Sequence, residues 1–265
     1  MSDRPHQPRK RFGQNFLHDP LTLDRMLGAI NPQPGEQIVE IGPGEGALTC
    51  PLLKQHGELT AIELDRDLAP LLEKKCRDSG ELKLYQADAL KFDFNQLADE
   101  QNKIRIVGNL PYNISTPILF HLASYANTIQ DMHVLLQKEV AGRIDAQPGT
   151  KEYGRLSVMM QYTFTTQQLF DVGPGAFRPP PKVQSTFLRL TPHPEPVVEV
   201  NNQGNLSLVV SAAFSQRRKT LRNSLKVHLD ATQIERAGVD PSRRAETLSL
   251  EEFAKLANML ESAAT

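Results

Sequence analysis

Gly108-Asn109-Leu110-Pro111-Tyr112 follows a short apolar run, and its residue types suit chemistry on an aromatic amine. The lone pair of adenine's exocyclic nitrogen is delocalised into the ring. Hydrogen-bond acceptors on the two N–H groups draw that pair back onto nitrogen. The Asn109 side-chain oxygen can supply one acceptor and the Leu110 carbonyl the other. Pro111 stiffens the turn, and Tyr112 offers a flat face on which a base can stack, worth ~1–3 kcal/mol. Asn109 is a neutral amide and cannot act as a carboxylate base, so the proton leaves to water after transfer. Taken alone, the tetrapeptide is equally an ordinary β-turn with a half-buried tyrosine.

A second constellation lies upstream. Glu40-Ile41-Gly42-Pro43-Gly44-Glu45-Gly46 closes an apolar run and opens a helical one. Glycines there let the backbone turn sharply and let a ligand approach the main chain, beside the unpaired N–H groups of a helix start. Gly42, Gly44 and Ala47 also satisfy a loose dinucleotide pattern, so NAD and S-adenosylmethionine both remain open at this point. Glu63, about 20 residues on, stands where a carboxylate grips ribose hydroxyls. Asp88 can accept from a cofactor's adenine amine or cap the following turn.

These residues need a frame that gathers them. Strands are expected at Gln37–Ile41, 59–64, 82–86, 104–107 and 133–136, with helical segments between them, which implies an α/β fold with a mostly parallel sheet. Residues 168–172 and 183–190, joined by a loop with Pro179-Pro180-Pro181, read as an antiparallel hairpin ending the sheet. The prolines of 191–196 mark a linker. Beyond it, 206–229 and 250–260 have helical periodicity alone. We therefore expect a catalytic domain over 1–191, with 1–16 a basic arm, and a small all-α domain over 192–265.

Composition narrows the partners. The 265 residues are 39% hydrophobic and 23% charged, with formal net charge -1, so bulk charge carries no sign of nucleic acid. Local clusters do: Arg9, Lys10 and Arg11 near the start, and Arg218, Arg222 and Lys226 at i, i+4 and i+8, a basic stripe if 206–229 is one helix. Equally, such a run can be a solvated face. Cys50 and Cys76 are too few for a disulfide framework and no pair has zinc-ligand spacing. No metal is expected, and a reduced, cytoplasmic, membrane-free protein fits best.

Taken in order, residues 9–19 (RKRFGQNFLHD), 39–49 (VEIGPGEGALT), 61–67 (AIELDRD), 108–117 (GNLPYNISTP), 137–140 (QKEV), 153–158 (YGRLSV) and 177–185 (FRPPPKVQS) resemble the bacterial small-subunit (16S) rRNA adenine N6,N6-dimethyltransferase family over nearly the whole chain. The resemblance implies a class I, Rossmann-like methyltransferase sheet with a helical C-terminal domain. It implies S-adenosylmethionine as cofactor and two adjacent adenosines near the 3′ end of 16S rRNA, in the assembling small subunit, as substrate; separately, we expect a monomer. Asn15, Leu17, Gly42, Glu63, Asp88 and Asn109 match the family's cofactor contacts, with Gly44 in the same loop. Asn109, Leu110 and Tyr112 match its target-amine and stacking positions, and Phe177 an aromatic that closes over the base. Three other readings compete: a large-subunit rRNA adenine methylase, an NAD-dependent dehydrogenase, and an assembly factor whose catalysis is secondary.

Overall fold

The structure is a computed structural model that describes residues 15–98 and 102–260. Arg9, Lys10 and Arg11 lie outside the described residues. The chain opens with β1 (Phe16–Leu17), α1 (Pro20–Ile30), β2 (Gln37–Ile41), α2 (Thr49–His56), β3 (Glu58–Glu63), α3 (Ala69–Cys76) and β4 (Glu81–Gln86). It continues through β5 (Ile104–Asn109), α4 (Ser115–Ala123), β6 (Ile129–Gln137), α5 (Lys138–Ile144), α6 (Arg155–Thr163), β7 (Phe164–Val172), β8 (Phe177–Arg178) and β9 (Ser185–Pro192). The last elements are α7 (Gln203–Phe214), α8 (Leu221–Ser224), α9 (Ala231–Arg236) and α10 (Leu250–Asn258).

Two compact units emerge. The first runs to Ala141 and resumes over Thr165–Pro192, and the second takes Gly142–Phe164 and the chain from His193 on. Residues 142–164 thus group with the helical unit, although the sequence reading placed them in the first domain. The reason is burial: Tyr153 and Val158 pack in one apolar cluster with Leu206, Val210, Leu225 and Phe253.

In the first unit a seven-stranded sheet has the order β4-β3-β2-β5-β6-β9-β7. β4, β3, β2, β5 and β6 are parallel neighbours, and β9 runs antiparallel to β6. β5 is buried from Ile104 to Val107 and β2 from Ile38 to Ile41, as central strands covered on both faces must be. Successive strands step outward from β2 to β4, then the chain returns to lay β5 on the other side of β2. That reversal leaves a crevice at the carboxyl ends of β2 and β5, where open α/β sheets bind ligands. A separate two-stranded sheet pairs Phe16 with Arg178 and Leu17 with Phe177.

The second unit departs from expectation. Instead of one helix over 206–229, α7 ends at Phe214 and α8 begins at Leu221. The N–H groups of Leu221 and Arg222 donate to the carbonyls of Arg243 (2.8 Å) and Pro241 (3.0 Å) rather than to a preceding helical turn. Arg218, Arg222 and Lys226 are all exposed, yet no continuous helix aligns them. The cysteines differ too: Cys50 on α2 and Cys76 at the end of α3 are disulfide-bonded, because the two helices bring their Cα atoms within 5.0 Å.

At the far end of the sheet, a buried charge network ties β5 to β6. Arg105 grips Asp131 through Nε (2.9 Å) and Nη2 (3.1 Å), and also reaches Glu36 and the Ile30 carbonyl. Burial opposes ionisation of Asp131, but His133, with Nδ1 at 3.5 Å, and Arg105 outweigh it and hold the carboxyl at about 2. A depressed carboxyl contributes stability above its unfolded value of about 3.9 that is lost as pH falls through the folded value. Asp131→Asn is therefore expected to cost about 3 kcal/mol in urea unfolding at neutral pH, with the gap to wild type narrowing between about pH 4 and pH 2. A gap that stays constant to the acid end contradicts this.

Candidate active site

The crevice at the end of β2 and β5 is a pocket lined by the β1 segment, the glycine loop, the ends of β3 and β4, and residues 109–114. Its construction begins with backbone. Gly44 has φ +56, a conformation favouring glycine, and a Cβ there would stand 3.0 Å from the Phe16 ring. A Cβ on Gly108 would meet the Ile41 carbonyl oxygen at 2.5 Å, so only glycine lets β5 end this close to β2. Pro111 in turn reaches over Gly42, its Cδ 3.8 Å from where a Cβ would be. The two motifs read separately in the sequence thus touch.

The amide of Asn109 is fixed. Its Nδ2 donates to the Asn15 carbonyl at 2.8 Å, which settles the amide orientation because a carbonyl can only accept. Oδ1 is then left buried with no hydrogen-bond partner. Buried polar atoms are usually paired, so an unpaired acceptor on a residue that lines the pocket is a candidate contact for a ligand. Leu110 lines the same wall. Tyr112 is tied through its hydroxyl to Ser185 Oγ on β9 at 2.6 Å, and burial raises its pKa, with Ser185 opposing. The ring is therefore held at both ends, with the phenol neutral.

Carboxylates dominate the opposite side. Glu63 is 6% exposed and accepts from the N–H groups of Gly44 (3.2 Å) and Asp65 (2.8 Å). Burial raises its pKa, and these backbone donors oppose the rise. Each oxygen keeps a further lone pair for a ligand hydroxyl. Asp88 lines the pocket and caps its own turn, accepting from Leu90 N–H at 3.0 Å, so both functions weighed from sequence can coexist in one side chain. Glu40 and Glu45 bring the acidic lining residues to four, and no Lys, Arg or His stands among the described lining residues. Such a wall repels the phosphates of NAD and suits a ligand with net positive charge.

Of the sequence-predicted cofactor residues, Asn15, Leu17, Gly42, Gly44, Glu63, Asp88 and Asn109 all line this pocket, as do Leu110 and Tyr112. Phe177 does not. It is 2% exposed and packs in the core with Leu17, Met26 and Ala176, because its pairing with Leu17 turns the ring inward. In this conformation it anchors the triple-proline loop and offers no face to a base. Three contributors went unread: Phe16, Ser185 and Glu40. The last carries a legible signal, an acid inside an otherwise apolar strand.

A parallel sheet that reverses at a crevice, an acidic pocket there and an unpaired amide acceptor on its wall define a Rossmann-like, S-adenosylmethionine-dependent methyltransferase. The family model described as ribosomal RNA adenine dimethylase matches residues 5–262. Similar curated proteins include the ribosomal RNA small subunit methyltransferase A of Pseudomonas putida, 54% identical over 96% of each chain. That of Nitrosococcus oceani is 53% identical over 97% of each. Among solved structures, a dimethyladenosine transferase from Plasmodium falciparum has a TM-score of 0.75 at 25% identity, covering 91% of this chain and 95% of that one. The 23S rRNA methyltransferase ErmE has a TM-score of 0.67 at 27% identity, covering 94% and 100%. The chain belongs to the ribosomal RNA adenine dimethylase family. S-adenosylmethionine is its cofactor and RNA its substrate.

Glu63→Ala is expected to weaken S-adenosylmethionine binding by about tenfold or more in calorimetry, the loss for a charge-assisted hydrogen bond, with the melting temperature little changed. Unaltered affinity contradicts the assignment of this pocket.

Proposed function

We propose that this chain transfers methyl groups from S-adenosylmethionine to N6 of two adjacent adenosines near the 3′ end of 16S rRNA, in the assembling small ribosomal subunit. It acts as a monomer in the cytoplasm; among the described residues no helix is long and apolar enough to cross a membrane. The observation that carries the chemistry is the buried, unpartnered Asn109 Oδ1 at the pocket wall. The small subunit comes from the names of the relatives, which share about half of this sequence.

The cofactor brings an electrophilic methyl group on a sulfonium sulfur. Everything else falls to the chain. Asn109 Oδ1 accepts from one N–H of the target amine, and the Leu110 carbonyl from the other, so the nitrogen lone pair points away from the ring. Tyr112, its hydroxyl held by Ser185, supplies the stacking face. Preorganised acceptors cost no reorganisation at the moment of transfer, and alignment supplies much of the remainder. The proton departs to water once nitrogen is cationic. After the first methyl only one N–H remains, so the second transfer uses one acceptor at a time.

Exposed Arg218, Arg222 and Lys226 in the second unit, with Arg9, Lys10 and Arg11, are the phosphate contacts in this reading. The likeness to ErmE favours one alternative, an adenine of the large subunit. Purified small and large subunits incubated with labelled methyl donor distinguish the two: label appears as N6,N6-dimethyladenosine in the small subunit only, whereas label in the large subunit overturns the reading. Asn109→Ala lowers single-turnover methylation by ~10²–10³, the usual loss for one preorganised contact; near-normal turnover contradicts its role. Charge reversal at Arg218 and Arg222 together weakens subunit binding and flattens its salt dependence while cofactor affinity stays constant. Unchanged subunit binding moves the RNA contacts elsewhere.

A further inference from the structure

Glu40 sits near the carboxyl end of β2, two residues before Gly42, and it lines the pocket at 2% exposure. Its Oε2 has no hydrogen-bond partner. An ionised carboxylate in that position is costly unless something positive answers it. The protein provides no such partner among the described lining residues. From α2, Thr49 contributes a hydroxyl, which favours the ionised form although its Oγ1 also makes no hydrogen bond of its own. From β3 comes Glu63, a like charge, with Asp65 just beyond it. From β5 the pocket receives only the neutral Asn109, with Leu110 just after it, and from α1 the apolar Met26, while the glycine loop and the turn after β4 add two more acids, Glu45 and Asp88. Burial first, and Glu63 with it, push the Glu40 carboxyl up to about 7, with Thr49 opposing.

We infer that Glu40 is the counter-charge by which the pocket distinguishes S-adenosylmethionine from the S-adenosylhomocysteine left after transfer. This rests on the reading of this pocket as the cofactor site. The two ligands differ by one methyl group and one positive charge, and little else is available to tell them apart. In the free protein near neutral pH, Glu40 is divided between its neutral and ionised forms. With the cationic ligand bound it ionises and gives its proton to solvent. With the product in its place, zwitterionic in its amino-acid part but with an uncharged sulfur, it takes a proton back, and the product is held without a sulfonium to answer. Glu40 makes and breaks no bond to carbon; it acts as a specificity residue, biasing occupancy toward the reactive ligand and easing product exchange.

Calorimetry on the whole chain tests this, titrating S-adenosylmethionine and S-adenosylhomocysteine into wild type and Glu40→Gln. Glutamine keeps the volume and mimics the neutral acid. In wild type the affinity ratio favouring S-adenosylmethionine rises about tenfold from about pH 6 to about pH 8, one decade corresponding to one unit of differential pKa. In Glu40→Gln the ratio is lower and less dependent on pH, while S-adenosylhomocysteine affinity stays within about twofold. At about pH 6, where Glu40 is mostly protonated, buffers of different ionisation enthalpy report proton release by wild type with S-adenosylmethionine and not with S-adenosylhomocysteine. Whatever release persists in Glu40→Gln belongs to Glu63.

Parallel pH profiles in the two proteins, or equal proton release, overturn the inference. Should Glu40→Gln fail to fold in a melting experiment, the buffer series on wild type and Glu63→Ala takes its place: ligand-selective release that persists in Glu63→Ala supports the inference, and its absence overturns it. Glu63→Ala separates the two levels. If neither variant alters S-adenosylmethionine binding, the pocket itself is misread. If Glu63→Ala loses affinity while Glu40→Gln keeps the wild-type ratio, only the counter-charge is wrong.

Discussion

The approach of β5 to β2 at Gly108 is the contact on which the site depends. A side chain there would drive into the Ile41 carbonyl oxygen at 2.5 Å, so any other residue would force the ends of the two strands apart. With glycine, Asn109 ends its strand beside the turn at Gly42, and Pro111 packs over that glycine. The reversal of strand order at β2 and β5 makes a crevice in any fold of this type. Gly108 brings the two strand ends together there, so that the glycine loop and residues 109–112 line one pocket. Asn109 is fixed there: its Nδ2 is anchored on Asn15, and its Oδ1, buried without a partner, is the acceptor proposed for the target amine.

The two ends of the sheet handle buried charge in opposite ways. At the amino ends of β5 and β6, Asp131 is answered by Arg105 and Arg189, and Arg105 by Glu36 as well, so the charges are matched within the fold. At the carboxyl ends, Glu40 and Glu63 are nearly as buried and are answered by backbone N–H groups or by nothing. The first arrangement serves stability. The second leaves buried acids without a cationic partner among the described lining residues, the kind of local inconsistency that marks functional sites.

Much of this was legible from the chain because it is local. Gln37–Ile41 is a strand as its apolar run implies, and the glycine loop and Asn-Leu-Pro-Tyr segment fall at strand ends where their residue types make sense. What escaped depends on distant partners. The tie between Asn109 and Asn15 spans 94 residues, and the one between Tyr112 and Ser185 spans 73. Phe177 reads as an available aromatic until its pairing with Leu17 turns it into the core. The break after Phe214 was hidden for another reason. Leu221, Leu225 and Leu229 keep a four-residue spacing and are all buried, so helical periodicity continues where the helix does not. Backbone bonds from 221 and 222 to 243 and 241, invisible in a periodicity, decide the conformation. Residues 142–164 likewise joined the second unit through side chains that pack against distant segments, as Tyr153 does across 95 residues to Leu248.

In the mechanism proposed above, one crevice between the glycine loop and Asn109 holds both the methyl donor and the target amine. A crystal structure of the protein with S-adenosylhomocysteine tests it most directly. The ribose is expected at Glu63, the adenine near Asp88, and the sulfur facing Asn109 Oδ1 across a gap that a base can enter. A ligand seated elsewhere, or one whose sulfur is walled off from Asn109, would contradict it.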